Sequence, residues 1–382
     1  MGNCSASSDS RSGSYGSGAR DERHATVETK SSTMVLHDGP ILSISYVSRQ
    51  QVLTSSDDKS IAVIDVDGVI SSKSTSLEYL RGHKKAVNKI IHSASNPSAA
   101  YSASRDLSIK SWDLEKMACY RTIDDAHELN ITGLATHSID PACIFSGSRD
   151  YSVKCWDINS GICKTKYTAN RNVVTTLATS VSSPDLLYQG SEDLAVRIWD
   201  TRSSGSRSVP AETITGYVYF PVSMDINKEG NLLATGCKGF DSVGCTVKVW
   251  DLRNTSKELF EFVGHSQDAV GCKFSSVDNN VLFSASKDGS VCAWDVSIQA
   301  QGCKDGGHCV ASNPSTGKLI TCVDVPAVAS SDHEVGSESQ HNIAVGANDG
   351  SLMFASIANA SGQSPQRVEP YFSTASSVET QD

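Results

Sequence analysis

Three observations predict an all-β fold of seven four-stranded blades closed into a propeller. Trp112, Trp156, Trp199, Trp250 and Trp294 are each followed by aspartate, at spacings of 44, 43, 51 and 44 residues, a period near that of a propeller blade. An aspartate lies six residues before four of them, in Ser104-Arg105-Asp106, Ser148-Arg149-Asp150, Ser191-Glu192-Asp193 and Ser286-Lys287-Asp288. In three units a histidine (His83, His127, His265) stands 29 residues before the tryptophan, and a serine (Ser102, Ser146, Ser284) stands four before the aspartate.

Taken in order, the units begin with a degenerate one. Ser56-Asp57-Asp58 leads to Ile64-Asp65, so Ile64 replaces the tryptophan and Thr54 takes the serine position. The last unit has lost its Trp-Asp pair, since Asn348-Asp349 leads to Ala355. Counting both gives seven units between about Met34 and Ile357, within the range of known propellers. Runs such as Val281–Ser284 and Val291–Trp294 supply the strands. To close the ring, Ala25–Thr29 is expected to pair as the outer strand of the last blade, removing an open sheet edge. The propeller then occupies residues 25–357. It lies between Ser-rich tails, 1–24 and 358–382, that are too poor in apolar residues to fold unaided. A polar insertion, Pro326–His341, is expected to loop out of the last unit.

Lys and Arg total 33 against 43 Asp and Glu, a net charge of −10. That sign argues against nucleic acid as the main partner, because phosphate binding needs a basic footprint. The 12 cysteines contain no Cys-x-x-Cys pair, and the polar first 20 residues do not resemble a secretory signal. Free thiols in a reducing, cytoplasmic setting are the expectation.

The recurring His, Ser, Asp and Trp have a chemical logic. An aspartate can accept from the imidazole, the imidazole reaches the serine hydroxyl, and the hydroxyl reaches the indole N–H. An Asp-His-Ser set elsewhere suggests a hydrolase. Here it repeats at fixed offsets beside a tryptophan, which marks His83, Ser102, Asp106 and Trp112, then His127, Ser146, Asp150 and Trp156, then His265, Ser284, Asp288 and Trp294, as structural. There is no nucleophile elbow and no phosphate loop. His308-Cys309 with Cys303 and Cys322 lacks zinc spacing. No catalysis, cofactor or metal is expected, the minor alternative being an enzyme whose site is built from propeller loops near the central channel.

These repeats are those of WD-repeat propellers. Over nearly its whole length the sequence resembles the WD repeat-containing protein 31 family. The resemblance rests on Ser102-Ala103-Ser104-Arg105-Asp106, Arg171-Asn172-Val173-Val174-Thr175, Gly239-Phe240, Gly244-Cys245 and Trp250-Asp251-Leu252-Arg253. It implies a non-enzymatic adaptor associated with cilia and ciliary trafficking. Its expected partners are other proteins, such as acidic peptides or small-GTPase regulators, with the chain a monomer inside a larger complex.

The resemblance also implies that the residue before each tetrad aspartate projects from one face of the ring. Those residues are Asp57, Arg105, Arg149, Glu192, Lys287 and Asn348, with Lys85 and Arg171 in adjoining loops. Lys84, Lys85, Arg105, Arg149 and Arg171 form a candidate basic sector for an acidic peptide. Phe240, in a glycine-rich loop, either contacts a partner or folds back onto Tyr217 and Phe220. Asp193 through Trp199-Asp200-Thr201-Arg202 is similar to the box that joins some WD-repeat proteins to a cullin-type ubiquitin ligase. In that alternative reading the box comprises Asp193, Asp200 and Arg202, of which Asp200 and Arg202 face the ligase adaptor. At the N-terminus, Gly2 is a candidate for myristoylation and Cys4 for palmitoylation, a pair of lipids sufficient for a stable membrane tether.

Overall fold

The computed structural model describes residues 32–358 apart from 67–76, 94, 169–171, 203–208, 241, 298–308, 314–316 and 327–339. Their strands form seven antiparallel four-stranded sheets. The inner strands are Ile41–Tyr46, Val87–His92, Ile131–Thr136, Val174–Thr179, Pro221–Ile226, Ala269–Phe274 and Ile320–Asp324. Each packs against the next, and the seventh packs against the first. The ring is therefore closed, with the blades numbered one to seven in that order.

Within a blade the turn from the second to the third strand sets the register. In blade 3, Cys143–Ser148 and Val153–Asp157 are joined through Arg149, Asp150, Tyr151 and Ser152. Tyr151 has φ +68°, and Lys59, Leu107 and Leu194 occupy the same position at φ +74°, +70° and +62°. Non-glycine residues take this left-handed conformation at a cost. The preceding aspartate offsets it: Asp150 Oδ1 accepts from Ser152 N–H at 2.9 Å and from the Ser152 hydroxyl at 2.6 Å. Where no side chain is needed, glycine takes the position, as at Gly289 and Gly350.

Neighbouring blades are joined by a recurring hydrogen bond near the start of the inner strand. Asn88 Nδ2 donates to Ile131 O, Thr132 Oγ1 to Val174 O, Thr175 Oγ1 to Pro221 O, and Thr321 Oγ1 to Ile41 O. Each polar side chain thus satisfies a carbonyl of the blade that follows, and the last of these bonds spans the closure.

The closing strand is Ser32–Val35, antiparallel to Ser351–Ala358 with Met34 opposite Leu352. This corrects the expected clasp: Ala25–Thr29 lies outside the described residues, and Ser32–Val35 holds the closing position. The reason is reach. The chain must pass directly from this strand through buried Leu36 and His37 into Ile41. Met34 packs against the blade 1 core. The tails and most of the 326–341 insertion also lie outside the described residues.

A second closure device stands in the central channel. Lys273 Nζ of blade 6 lies 3.3 Å from Asp225 Oδ1 of blade 5 and 3.4 Å from Asp324 Oδ1 of blade 7. Asp225 also accepts from Phe274 N–H and Asp324 from Tyr46 N–H, each at 2.9 Å. One triad therefore staples blades 5, 6, 7 and 1. The two carboxylates raise the Lys273 ammonium above its ordinary value, against the opposing effect of burial. Lys273→Met should leave two carboxylates facing each other. We expect a loss of about 1–3 kcal/mol, moderated by channel water, read by urea denaturation. An unchanged midpoint would show that the triad contributes nothing to closure.

Candidate partner-binding face

The strand order determines which loops share a face. The turn between second and third strands and the link from an outer strand to the next inner strand both emerge at one end of the ring. The tetrads lie just beneath that end. In blade 2, Trp112 Nε1 donates to Ser102 Oγ at 2.7 Å, Ser102 reaches His83 Nε2 at 2.7 Å, and His83 Nδ1 lies 2.9 Å from Asp106 Oδ2. Blade 3 repeats these distances with Trp156, Ser146, His127 and Asp150.

Blade 6 departs from the expected chain. Trp294, Ser284 and His265 are joined at 2.7 Å, but Asp288 Oδ2 is 3.8 Å from His265 Nδ1. Ser290 stands between them, 2.8 Å from the imidazole and 2.5 Å from Asp288 Oδ1. Asp288 instead accepts from Ser266 N–H at 2.7 Å.

Three further blades satisfy the same space by other means. His37, which sequence spacing missed, contacts Asp58 at 2.8 Å and Thr54 at 2.9 Å over Ile64. Asp58 follows His37 by 21 residues, where Asp106 follows His83 by 23, so the shortened link hid it. In blade 4 Gln189 accepts from Trp199 at 2.7 Å, and Asp193, lacking a histidine, takes Arg197 at 3.0 and 2.5 Å. In blade 5 Tyr217 reaches Thr235 at 3.3 Å and packs on Trp250.

Burial lowers His37, His127 and His265 below the ordinary imidazole value, against the raising effect of their carboxylates. Burial works to raise Asp106 and Asp150, but hydrogen bonds from the imidazole, from Ser108 or Ser152, and from backbone N–H groups hold both well below the usual carboxylate range. At His127 and Asp150 these shifts favour a neutral imidazole beside a charged carboxylate.

The face above the tetrads mixes charge with exposed apolar side chains. Lys84, Lys85 and Arg149 are exposed and form no ion pair with a described residue. Arg105 is drawn off by Asp57 at 3.0 Å and Asn88 at 3.1 Å, and Lys287 by Asp268 at 2.6 Å. Glu192 is half-buried at the blade 4 turn. Arg171 lies outside the described residues, as do Gly2 and Cys4. The basic sector is therefore smaller than the sequence implied, because Arg105 is neutralised locally.

Phe240 does not fold back. Tyr217 is already packed on Trp250, Lys238 Nζ lies 5.1 Å over the Phe220 ring, and Gly244 abuts Tyr219. The loop instead closes as a two-residue hairpin, with Phe240 and Val243 exchanging backbone hydrogen bonds at 2.9 Å. Gly239 N–H donates to Asp268, and Ser242 N–H to Ser266 O, which pins the hairpin to blade 6. Phe240 is 69% exposed and Val243 57%, with Val218 and Val263 exposed in the flanking links.

The three ligase-box residues are not brought together. Asp193 is at the tetrad face, while Asp200 and Arg202 stand at the far end of the Ala195–Asp200 strand. Arg202 closes on Asp200 at 3.0 and 2.7 Å and on Asp185 at 3.6 Å. Arg253 repeats the fork on Asp251.

Four segments match the family model described as WD domain, G-beta repeat: 74–113, 117–157, 209–251 and 256–295. The chain is a seven-bladed β-propeller that carries WD repeats in these four segments. Each matched repeat begins on the outer strand of one blade and ends on the third strand of the next, so this propeller's sequence unit straddles two structural units and locks them together. The chain is also similar to the WD repeat-containing protein 91 homolog of Dictyostelium discoideum, 35% identical over 74 residues. That match covers 19% of this chain and 9% of the relative's length.

Because the three histidines are held below 6.5 in the folded state, the unfolded chain takes up protons first as the pH falls. Stability should therefore be higher at about pH 7 than at about pH 5. Asp150→Ala should cost about 1–3 kcal/mol at neutral pH by leaving His127 unpaired. Thermal melts across that pH range check both, and a flat profile would mean the imidazoles are solvated.

Proposed function

We propose that this WD-repeat propeller is a non-enzymatic scaffold that holds partner proteins on its tetrad face. The observation that carries this reading is the pinned Phe240–Val243 hairpin, which holds large apolar side chains in water at a rigid site. Exposed aromatic side chains on ordered loops are characteristic binding anchors. Lys84, Lys85 and Arg149 add cations on the same face, which suits a partner segment carrying both acidic and apolar residues. The resemblance to the WD repeat-containing protein 31 family supports a place in ciliary trafficking, with small-GTPase regulators as candidate partners. The Asp200–Arg202 fork is closed within its own blade, so the scaffold reading stands ahead of the ligase one.

Phe240→Asp with Val243→Ser should leave the melting temperature within about 2 °C, since both side chains are exposed. Partners recovered by affinity purification with wild type should be lost with the double variant. Equal recovery would move the binding site off this face. Lipidation of Gly2 and Cys4 would tether the scaffold. Gly2→Ala should then shift the chain from the membrane to the soluble fraction, and an unchanged distribution would remove the tether.

A further inference from the structure

The central channel encloses about 490 Å³, within the size range of small-molecule sites. Its charged side chains fall into three groups, one of them the Asp268–Lys287 pair. Asp225, Lys273 and Asp324 sit at the fifth position of their inner strands and satisfy one another and the backbone, as described above. Lys89 sits at the third position of Val87–His92 and lines the same channel. Two residues of strand place it about 7 Å along the axis from the triad. It is half-buried and makes no hydrogen bond or ion pair with a described residue.

None of the polar side chains that share the channel offers Lys89 an anion that is not already paired. Thr132, Thr175 and Thr321 have given their hydroxyl hydrogens to backbone carbonyls, so they retain only acceptor capacity. Asn88 gives its amide to Ile131 O and accepts from Arg105 at 3.1 Å. The channel thus offers one ammonium with three N–H donors beside a set of hydroxyl acceptors. A half-buried cation without a direct hydrogen bond or ion pair is unfavourable. Burial and the Lys273 charge act to lower the Lys89 pKa, against the raising effect of the more distant Asp324 and Asp225 carboxylates, which are committed to Lys273. The complementary molecule carries an anion for Lys89 and hydroxyl hydrogens for the threonine oxygens.

We propose that the channel binds a small hydroxylated anion, a carboxylate or a phosphate ester, with its charge on Lys89. The site is independent of the tetrad-face partner surface and does not rest on it.

Isothermal titration of the full chain with gluconate, glycerol 3-phosphate and glycerol at millimolar concentration tests it. One or both anions should bind while neutral glycerol does not, and the anion that binds identifies the acid class. Lys89→Met should weaken binding roughly tenfold or more, the cost of a lost charge-assisted hydrogen bond. Lys89→Arg should retain it. Unliganded Lys89→Met should melt no lower than wild type, because it removes an unpaired cation. Glycerol binding as well as the anions, no heat from either anion, or Lys89→Met binding like wild type would each overturn the site.

Discussion

The contact between a turn aspartate and the link descending from the preceding blade organises this propeller. Asp106 holds His83 and the Lys84 N–H while capping Ser108, and Asp150 holds His127 and the Glu128 N–H while capping Ser152. One carboxylate therefore fixes the left-handed turn residue, the imidazole tautomer and the height of the link. Beneath it, the serine passes the hydrogen bond to the indole, so the surface loop is tied to the blade core.

The substitutes show what the constraint requires. Blade 4 keeps the indole satisfied through Gln189 and spends Asp193 on Arg197. Blade 5 uses Tyr217, and blade 7 pairs Asp349 with Lys318 at 2.7 Å. In each case the turn is still fastened, but with different chemistry. Blades 2, 3 and 6 carry histidine tetrads and blades 4, 5 and 7 do not. The hydrophobic hairpin emerges from blade 5, where a nine-residue link replaced the short turn and found a new anchor in Asp268 of the next blade.

Closure depends on groups that face inward. The ring of Asn and Thr donors seals blade to blade, and the Asp225–Lys273–Asp324 triad spans the blades nearest the seam. Ser32–Val35 completes the last sheet from the other end of the chain. The seam between the first and last blades is thereby held by a strand, an inner-strand hydroxyl and an ion triad. The same inward-facing chemistry commits those carboxylates to Lys273 and leaves Lys89 without a direct ion pair among the described residues.

By itself the sequence determined the repeat, because Trp-Asp pairs and tetrad offsets are local and periodic. Blade number, strand order and nearly all tetrad members were legible for that reason. His37 was not, because a link two residues shorter breaks the offset while the folded loop still delivers the imidazole. Tertiary structure alone decided which charges remain available. Arg105 and Lys287 look free in the sequence, but Asp57 and Asp268, from an adjacent blade and an adjoining loop, neutralise them. It also decided that Phe240 points into water, since Trp250, Lys238 and Gly244 had already occupied the aromatic surfaces it would have covered. Pairings across blades depend on ring geometry, and a linear pattern carries no measure of that distance.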